Sequence, residues 1–164
     1  MIFIKRFIIA IVLVLIIFAF PQSVGSGELD MLKVFFYEIS EDGHDVMNYY
    51  NIIIPVWLSV EQRAIIVFTE IFDNFNPDEM IYAPPNVQVL DVVFDAENAH
   101  LIVNLSLDIL NYGGTYFEHL LITKLMTNAA NITNVNYFTI LINSEPRYFP
   151  EGTTILKNSL AFFN

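Results

Sequence analysis

The run FIIAIVLVLIIFAF, residues 7–20, constrains this chain more than any other feature, because it carries no polar side chain at all. It is shorter than the ~20 apolar residues a membrane-crossing helix wants, and it matches the apolar region of a signal peptide. Lys5 and Arg6 supply the charged start, and in PQSVGSG Pro21 breaks the helix while Ser23 and Gly25 offer small residues around a cleavage point. Ile2, Phe3 and Ile4 could instead extend the apolar length, with Lys5 and Arg6 snorkelling to headgroups. Residues 1–25 are therefore expected to be a cleaved signal peptide or an uncleaved membrane anchor. Apolarity on every side disfavours a core helix packed within a small domain. Either leading reading puts the rest of the chain outside the cytoplasm.

Lys5 and Arg6 are two of seven basic residues, and all eighteen acidic residues lie beyond them. The exported part thus sets five basic against eighteen acidic side chains. Such a surface is repelled by nucleic acid, whose phosphates are held by Lys and Arg, so DNA and RNA partners are excluded. The acids are spread among strongly apolar segments and read as a solvated surface, unlike a disordered acidic tail. With no cysteine, there is no disulfide framework, thiolate metal site, nucleophilic thiol or Cys-borne lipid. About 135 residues remain, enough for one domain around a single core.

Residues 26–30 form a polar tether, residues 31–144 the domain, and residues 145–164 an irregular to weakly extended tail. MLKVFFYEI (31–39) and VMNYYNIII (46–54) read as strands by their aromatic and β-branched content, with SEDGHD between them as the turn. Ser59 with Gln62 is a capping box, and Val60, Ala64, Ile65, Phe68, Ile71 and Phe72 follow at helical spacing. That helix is expected to stop near Asn74, ahead of Asn76-Pro77. Pro84 and Pro85 lead into a strand over 87–94. In HLIVNLS, Leu101, Val103 and Leu105 alternate with His100, Asn104 and Ser106, the pattern of a strand with one buried face. After Gly113-Gly114, read as a hinge, Thr115 and Glu118 suggest a second capping box. Phe117, Leu120, Leu121, Leu125 and Ala129 then mark the apolar stripe of a second helix. A last strand covers 135–143. The fold class is α+β, in the order β-β-α-β-β-α-β, with a small mixed or antiparallel sheet backed by two helices and preceded by the N-terminal hydrophobic helix.

Reactive groups do not gather in the sequence. His44, His100 and His119 lie in no H-x-x-x-H or H-E-x-x-H spacing. EDGHD (41–45) lacks the alternating oxygens and sixth-position glycine of a calcium loop and reads as a polar turn. Ser59 serves as a cap, Ser106 ends a strand, and no serine stands in a G-x-S-x-G elbow. No Gly-rich phosphate loop is present. The expectation is a chain that is not an enzyme, with no catalytic, cofactor-binding or metal-ligating residue and no cofactor. Trp57, Tyr49, Tyr50, Tyr82, Tyr112 and Tyr116 could fill the core, form a protein contact or stack on sugar rings. Asn104 in NLS and Asn131 in NIT match the glycosylation pattern, which matters only in a eukaryotic secretory host.

PPNVQVLDVVFDAENAHLIVNLS (84–106) and GTYFEHLLITKLMTNAANITNVNYFTILIN (114–143), with VFFYEI and the helix from Ser59 upstream, resemble the GerMN domain, the sporulation and spore germination domain of exported bacterial proteins. The likeness runs from about Leu32 to Asn143. Asn98 and Ser144-Glu145 stand where the family often has glycine, and Asn76-Pro77 where it often has Gly-Pro. Many members are lipoproteins or carry a second copy, and this chain has neither a lipid-bearing Cys nor room for one. The resemblance implies a non-enzymatic binding or assembly module in the envelope of a spore-forming, Gram-positive bacterium. Its partners would be envelope or sporulation proteins or peptidoglycan, and the membrane if the N-terminal segment is uncleaved. Homo-oligomerisation stays open, as do a wall-binding accessory role and an envelope hydrolase with a site built from distant residues.

Overall fold

The computed structural model describes residues 28–73 and 83–163. The expected N-terminal hydrophobic helix, the Asn76-Pro77 stop and Tyr82 lie outside the described residues. Strand β1 (Leu29–Ile39) pairs antiparallel with β2 (Asp45–Pro55) along its whole length, Leu29 opposite Pro55 and Ile39 opposite Asp45. Leu29 and Asp30 are thus strand residues and not tether. The ribbon turns at Gly43, whose φ of 79° suits a residue without a Cβ, and the Ser40 amide donates to the His44 carbonyl at 2.8 Å.

The capping box at the start of helix α1 (Val60–Asp73) forms as expected. The Gln62 amide donates to Ser59 Oγ at 3.3 Å and the Ser59 amide to Gln62 Oε1 at 3.0 Å. Of the apolar positions read at helical spacing, Ala64, Phe68, Ile71 and Phe72 are buried, and Val67 joins them, whereas Ile65 faces out.

Strands β3 (Val89–Asp95) and β4 (His100–Leu105) form a hairpin, and β4 runs parallel to β5 (Tyr137–Ile142). Parallel neighbours require a crossover. A 3-10 turn (Leu107–Leu110) and helix α2 (Thr115–Ala130) supply it. The short strand β6 (Asn158–Ser159) closes the order β3-β4-β5-β6. The α+β class holds, but the strands divide between a two-stranded ribbon and a four-stranded sheet instead of sharing one sheet. Among the described residues no helix is long and apolar enough to cross a membrane.

One hydrophobic cluster joins these parts: Leu32, Val34 and Ile54 of the ribbon, Val67 and Phe68 of α1, Leu101, Val103 and Leu105 of β4, and Leu121 and Leu125 of α2. The Phe68 ring stacks on that of Phe138 in β5 at 5.5 Å. The C-terminal stretch joins the same cluster, with Phe149, Ile155 and Leu160 buried. Its irregular course matches expectation, yet it completes the core.

The second capping box does not form. Thr115 lies inside α2, preceded by Gly114 at φ 103°, and Glu118 turns inward to 2% exposure. The cap comes from the tail, where Glu151 Oε1 accepts the Gly114 amide at 2.8 Å. Glu118 in turn accepts the backbone amides of Glu151 (2.7 Å) and Thr153 (3.0 Å) and the Tyr112 hydroxyl (3.0 Å). A tail carboxylate at a helix N-terminus and a helix carboxylate binding tail amides lock the two together.

Asn128 does the corresponding work for the ribbon. Fully buried on α2, it accepts the Phe35 amide at 2.9 Å and donates to the Phe35 carbonyl at 2.9 Å, as a neighbouring strand would. Its amide also donates to the Lys124 carbonyl, and Asn131 donates to the Lys33 carbonyl at 2.8 Å. The open edge of β1 is thereby covered by a helix. Replacing Asn128 by Ala leaves partly buried backbone groups of Phe35 unpaired, so the Asn128→Ala variant should lose about 1–3 kcal/mol in urea unfolding. Asn131→Ala, at a more exposed position, should lose about 1 kcal/mol or less.

Left-handed backbone in the β3–β4 turn falls on Ala99 (φ 50°) rather than on Asn98. The Asp95 carboxylate binds the Glu97 and Asn98 amides and the Asn98 side chain, and the chain reverses at Ala99 after them. Since a Cβ in that conformation costs roughly 1 kcal/mol, Ala99→Gly should raise the unfolding free energy by about 0.5–1 kcal/mol in the same assay.

Candidate interaction surface

The three histidines occupy different places. His44 is exposed in the ribbon turn, His119 is exposed on α2, and His100 on β4 shares a 2.8 Å hydrogen bond between its Nε2 and the Thr139 hydroxyl. Burial first, and then the Lys157 cation, hold the His100 pKa below its usual value, against the opposing pull of Asp95. Among the described residues no group of three His, Cys, Asp or Glu side chains could hold a metal ion.

The buried carboxylate of Glu118 is the strongest acid-base candidate by position. Burial pushes its pKa up, but the hydrogen bonds from Thr153, from the Glu151 and Thr153 amides and from Tyr112 prevail and hold it below the ordinary value. Tyr112 responds oppositely: burial and its bond to Glu118 raise the phenol. The Tyr112 ring stacks on Phe117 at 4.7 Å, so this aromatic belongs to the packing. With both oxygens engaged by donors of the same domain, Glu118 fastens the tail. Ser106, the other polar group set aside in the sequence, donates to Asp108 at 3.0 Å and accepts the Gln88 amide at 3.1 Å, fixing the strand ends. Asn104, expected on an outward polar row, is buried at 9% exposure because it exchanges hydrogen bonds with Ser144 at 3.0 and 2.8 Å. These bonds hold the Asn143-Ser144 turn, where both residues take positive φ.

Sequence reasoning passed over Lys124. It lies one turn before Asn128 on the α2 face toward the ribbon, and only 5% of it is exposed. Burial lowers its pKa from 10.5 to about 7. Its sequence signal is weak: a lysine beside the apolar stripe, indistinguishable from a solvated one.

What the fold leaves uncovered is apolar. Antiparallel partners share a face, so Leu29, Met31 and Ile53 point the same way from the ribbon, opposite to the buried Leu32, Val34 and Ile54. Leu29 is 67% exposed, and Met31 and Ile53 are each 69% exposed. Val56 and Trp57, in the turn that follows β2, are exposed as well, Trp57 at 59%. Farther along the same face the Lys33 ammonium lies 4.3 Å from the centre of the Tyr49 ring, which also meets Phe35 at 5.7 Å. Trp57, Tyr49 and Tyr116 therefore stand at the surface, whereas Tyr50 is half-buried and donates to Glu70 at 3.0 Å. Tyr116 donates to Asp45, joining the start of α2 to the ribbon turn.

No family model matches this chain, and neither does any curated protein. Solved structures do. The first GerMN domain of the sporulation protein GerM from Bacillus subtilis superposes with a TM-score of 0.55 at 16% identity, over 78% of this chain and 96% of that domain. The tandem GerMN domains of the same Bacillus subtilis protein match with a TM-score of 0.55 at 14% identity, over 79% of this chain and 46% of theirs. This chain thus spans about half of the tandem structure. At such identities the likeness is one of fold, and the domain is GerMN-like in that sense, as the resemblance implied.

The pH dependence of stability follows from Lys124. The folded lysine releases its proton near pH 7 and the unfolded one near 10.5, so between those values the unfolded chain binds more protons. Stability should therefore rise with pH across that window, by at most about 1.4 kcal/mol per unit, while below pH 7 the full penalty is present. Lys124→Met should flatten the rise between pH 7 and 9 and stabilise most at pH 6–7, as read by urea unfolding at each pH.

Proposed function

We propose that this protein is a non-enzymatic, extracytoplasmic binding or assembly module of the GerMN type, acting in sporulation, germination or envelope assembly of a Gram-positive bacterium. The observation that carries the reading is a contrast within one domain. Glu118, Ser106, Asn104 and His100 are engaged in holding strands, turns and tail, while an apolar and aromatic face of the ribbon is left in solvent. Exposed apolar patches rimmed by polar residues mark contact surfaces. Supporting it further is the fold shared with a domain of a sporulation protein. The N-terminal apolar run supports export.

Photo-crosslinking from Tyr49 and Tyr116 in a sporulating Gram-positive host tests this reading. Discrete adducts with envelope or sporulation proteins are expected from the full chain. Retention on purified peptidoglycan without protein adducts would replace the reading with wall binding, and release of soluble wall fragments by the purified protein would sink the non-enzymatic assignment.

A further inference from the structure

Arg63 braces the uncovered apolar surface at the base of the ribbon. Only 9% exposed, Arg63 donates from Nη1 to Asp30 Oδ2 at 2.8 Å, from Nη2 to the Val56 carbonyl at 2.9 Å, and from Nε to the Leu58 carbonyl at 3.1 Å. The Val56 amide donates to the Glu28 carbonyl at 3.0 Å. One guanidinium thus ties the first residues of β1 to the turn after β2. Leu29, Val56 and Trp57 are displayed by a closed network and are not the loose ends of a strand. A side chain's cost of exposure is here built into the fold.

The position of this surface along the chain says what covers it. Residues 21–28 alone separate Phe20, the end of the apolar run, from Leu29. At no more than about 3.6 Å per residue, that link reaches roughly 30 Å. A membrane-held residue 20 would keep the base of the ribbon within that distance of the bilayer. The chemistry suits the place: tryptophan at a water–lipid boundary, aliphatic side chains beside it, and Lys33 on the same face. Of the two carboxylates flanking Leu29, Asp30 is paired with Arg63 and Glu28 is exposed to solvent. A second copy suits it less, since each chain carries a formal charge of −11.

We propose that Leu29, Met31 and Ile53, with Trp57 in the adjoining turn, form a membrane-contact surface that seats the base of the ribbon in the headgroup layer of a lipid bilayer. The proposal rests on the export reading above and on an uncleaved N-terminal segment. It orients the domain: the Gly43 turn at the opposite end of the ribbon points away from the membrane, and the Tyr49 region stays available to a protein partner. Because the domain is acidic, apolar insertion drives the contact and added salt leaves it in place.

Trp57 is the sole tryptophan of the chain, so its fluorescence reports on this surface alone. The test uses the full chain reconstituted in phosphatidylcholine vesicles containing some phosphatidylglycerol. Vesicle flotation comes first, then quenching by lipids brominated near the headgroup and by aqueous acrylamide. Quenching of at least about half by the shallow brominated lipid is expected. A Met31→Thr/Ile53→Thr variant keeps β-forming residues at exposed positions, and its fold is checked by circular dichroism. It should raise acrylamide quenching about twofold or more. A chain that floats with vesicles but leaves Trp57 open to acrylamide and untouched by brominated lipid overturns the proposal and spares the binding-module reading. So does Trp57 shielded from both quenchers, which would mean protein cover, by a second copy where the shielding depends on concentration. A full chain that fails to float overturns the proposal together with the anchored reading.

Discussion

Asn128 is the contact on which the arrangement of this domain depends. A two-stranded ribbon is marginal alone, and β1 would present an unpaired edge along its length. One buried side-chain amide pairs with both backbone groups of Phe35, and Asn131 adds the Lys33 carbonyl a turn further on. Because the partner is a helix, the edge is closed without a third strand, and the ribbon is held against α2 in one register. That register decides which residues face the core and which face solvent, since a slip of one residue would exchange the faces. The exposure of Met31 and Ile53 is therefore a consequence of where Asn128 sits.

The tail is bound by the complementary device. Glu118 reaches out of α2 to the amides of Glu151 and Thr153, while Glu151 reaches back to the amide of Gly114 just ahead of the helix. Each carboxylate satisfies donors that would otherwise lie unpaired, and Phe149, Ile155 and Leu160 then complete the core from outside the regular elements. The crossover helix thereby ties together the ribbon at its C-terminal half and the tail at its N-terminal turn. Lys124 fits less comfortably on the same helix. Its burial is a cost that the surrounding packing offsets, and it makes the domain least stable, in this respect, below neutral pH.

Glu118, Asn104, Ser106 and Asn128 hold backbone in place, and the face of the ribbon left in solvent is made of rings and aliphatic groups. Such a division suits a protein that works by contact. It also explains how a fold can be shared with a GerMN domain at 16% identity. What the architecture needs is a pattern of buried apolar positions, a crossover and an edge covered by a helix, and many sequences meet those needs.

Much of this was legible in the chain itself. Alternation in HLIVNLS, the Ser59–Gln62 box and the stripe through Leu121 and Leu125 each report a local period that survives folding, and so the α+β class and the element order could be read from them. Other features depend on contacts between residues far apart in sequence, and no local period carries them. Thr115 and Glu118 have the spacing of a cap, but Glu151, 33 residues beyond Glu118, supplies a better-placed acceptor and frees Glu118 to bind the tail. Asn104 sits in a polar row by alternation and is buried because Ser144, 40 residues away, satisfies its amide. Asn128 and Lys124 look like ordinary helix residues until β1 lies against them. The division of the strands into two sheets, and with it the exposed face of the ribbon, was decided only by tertiary structure, because strand pairing is a choice among distant partners that each strand's own residues do not name.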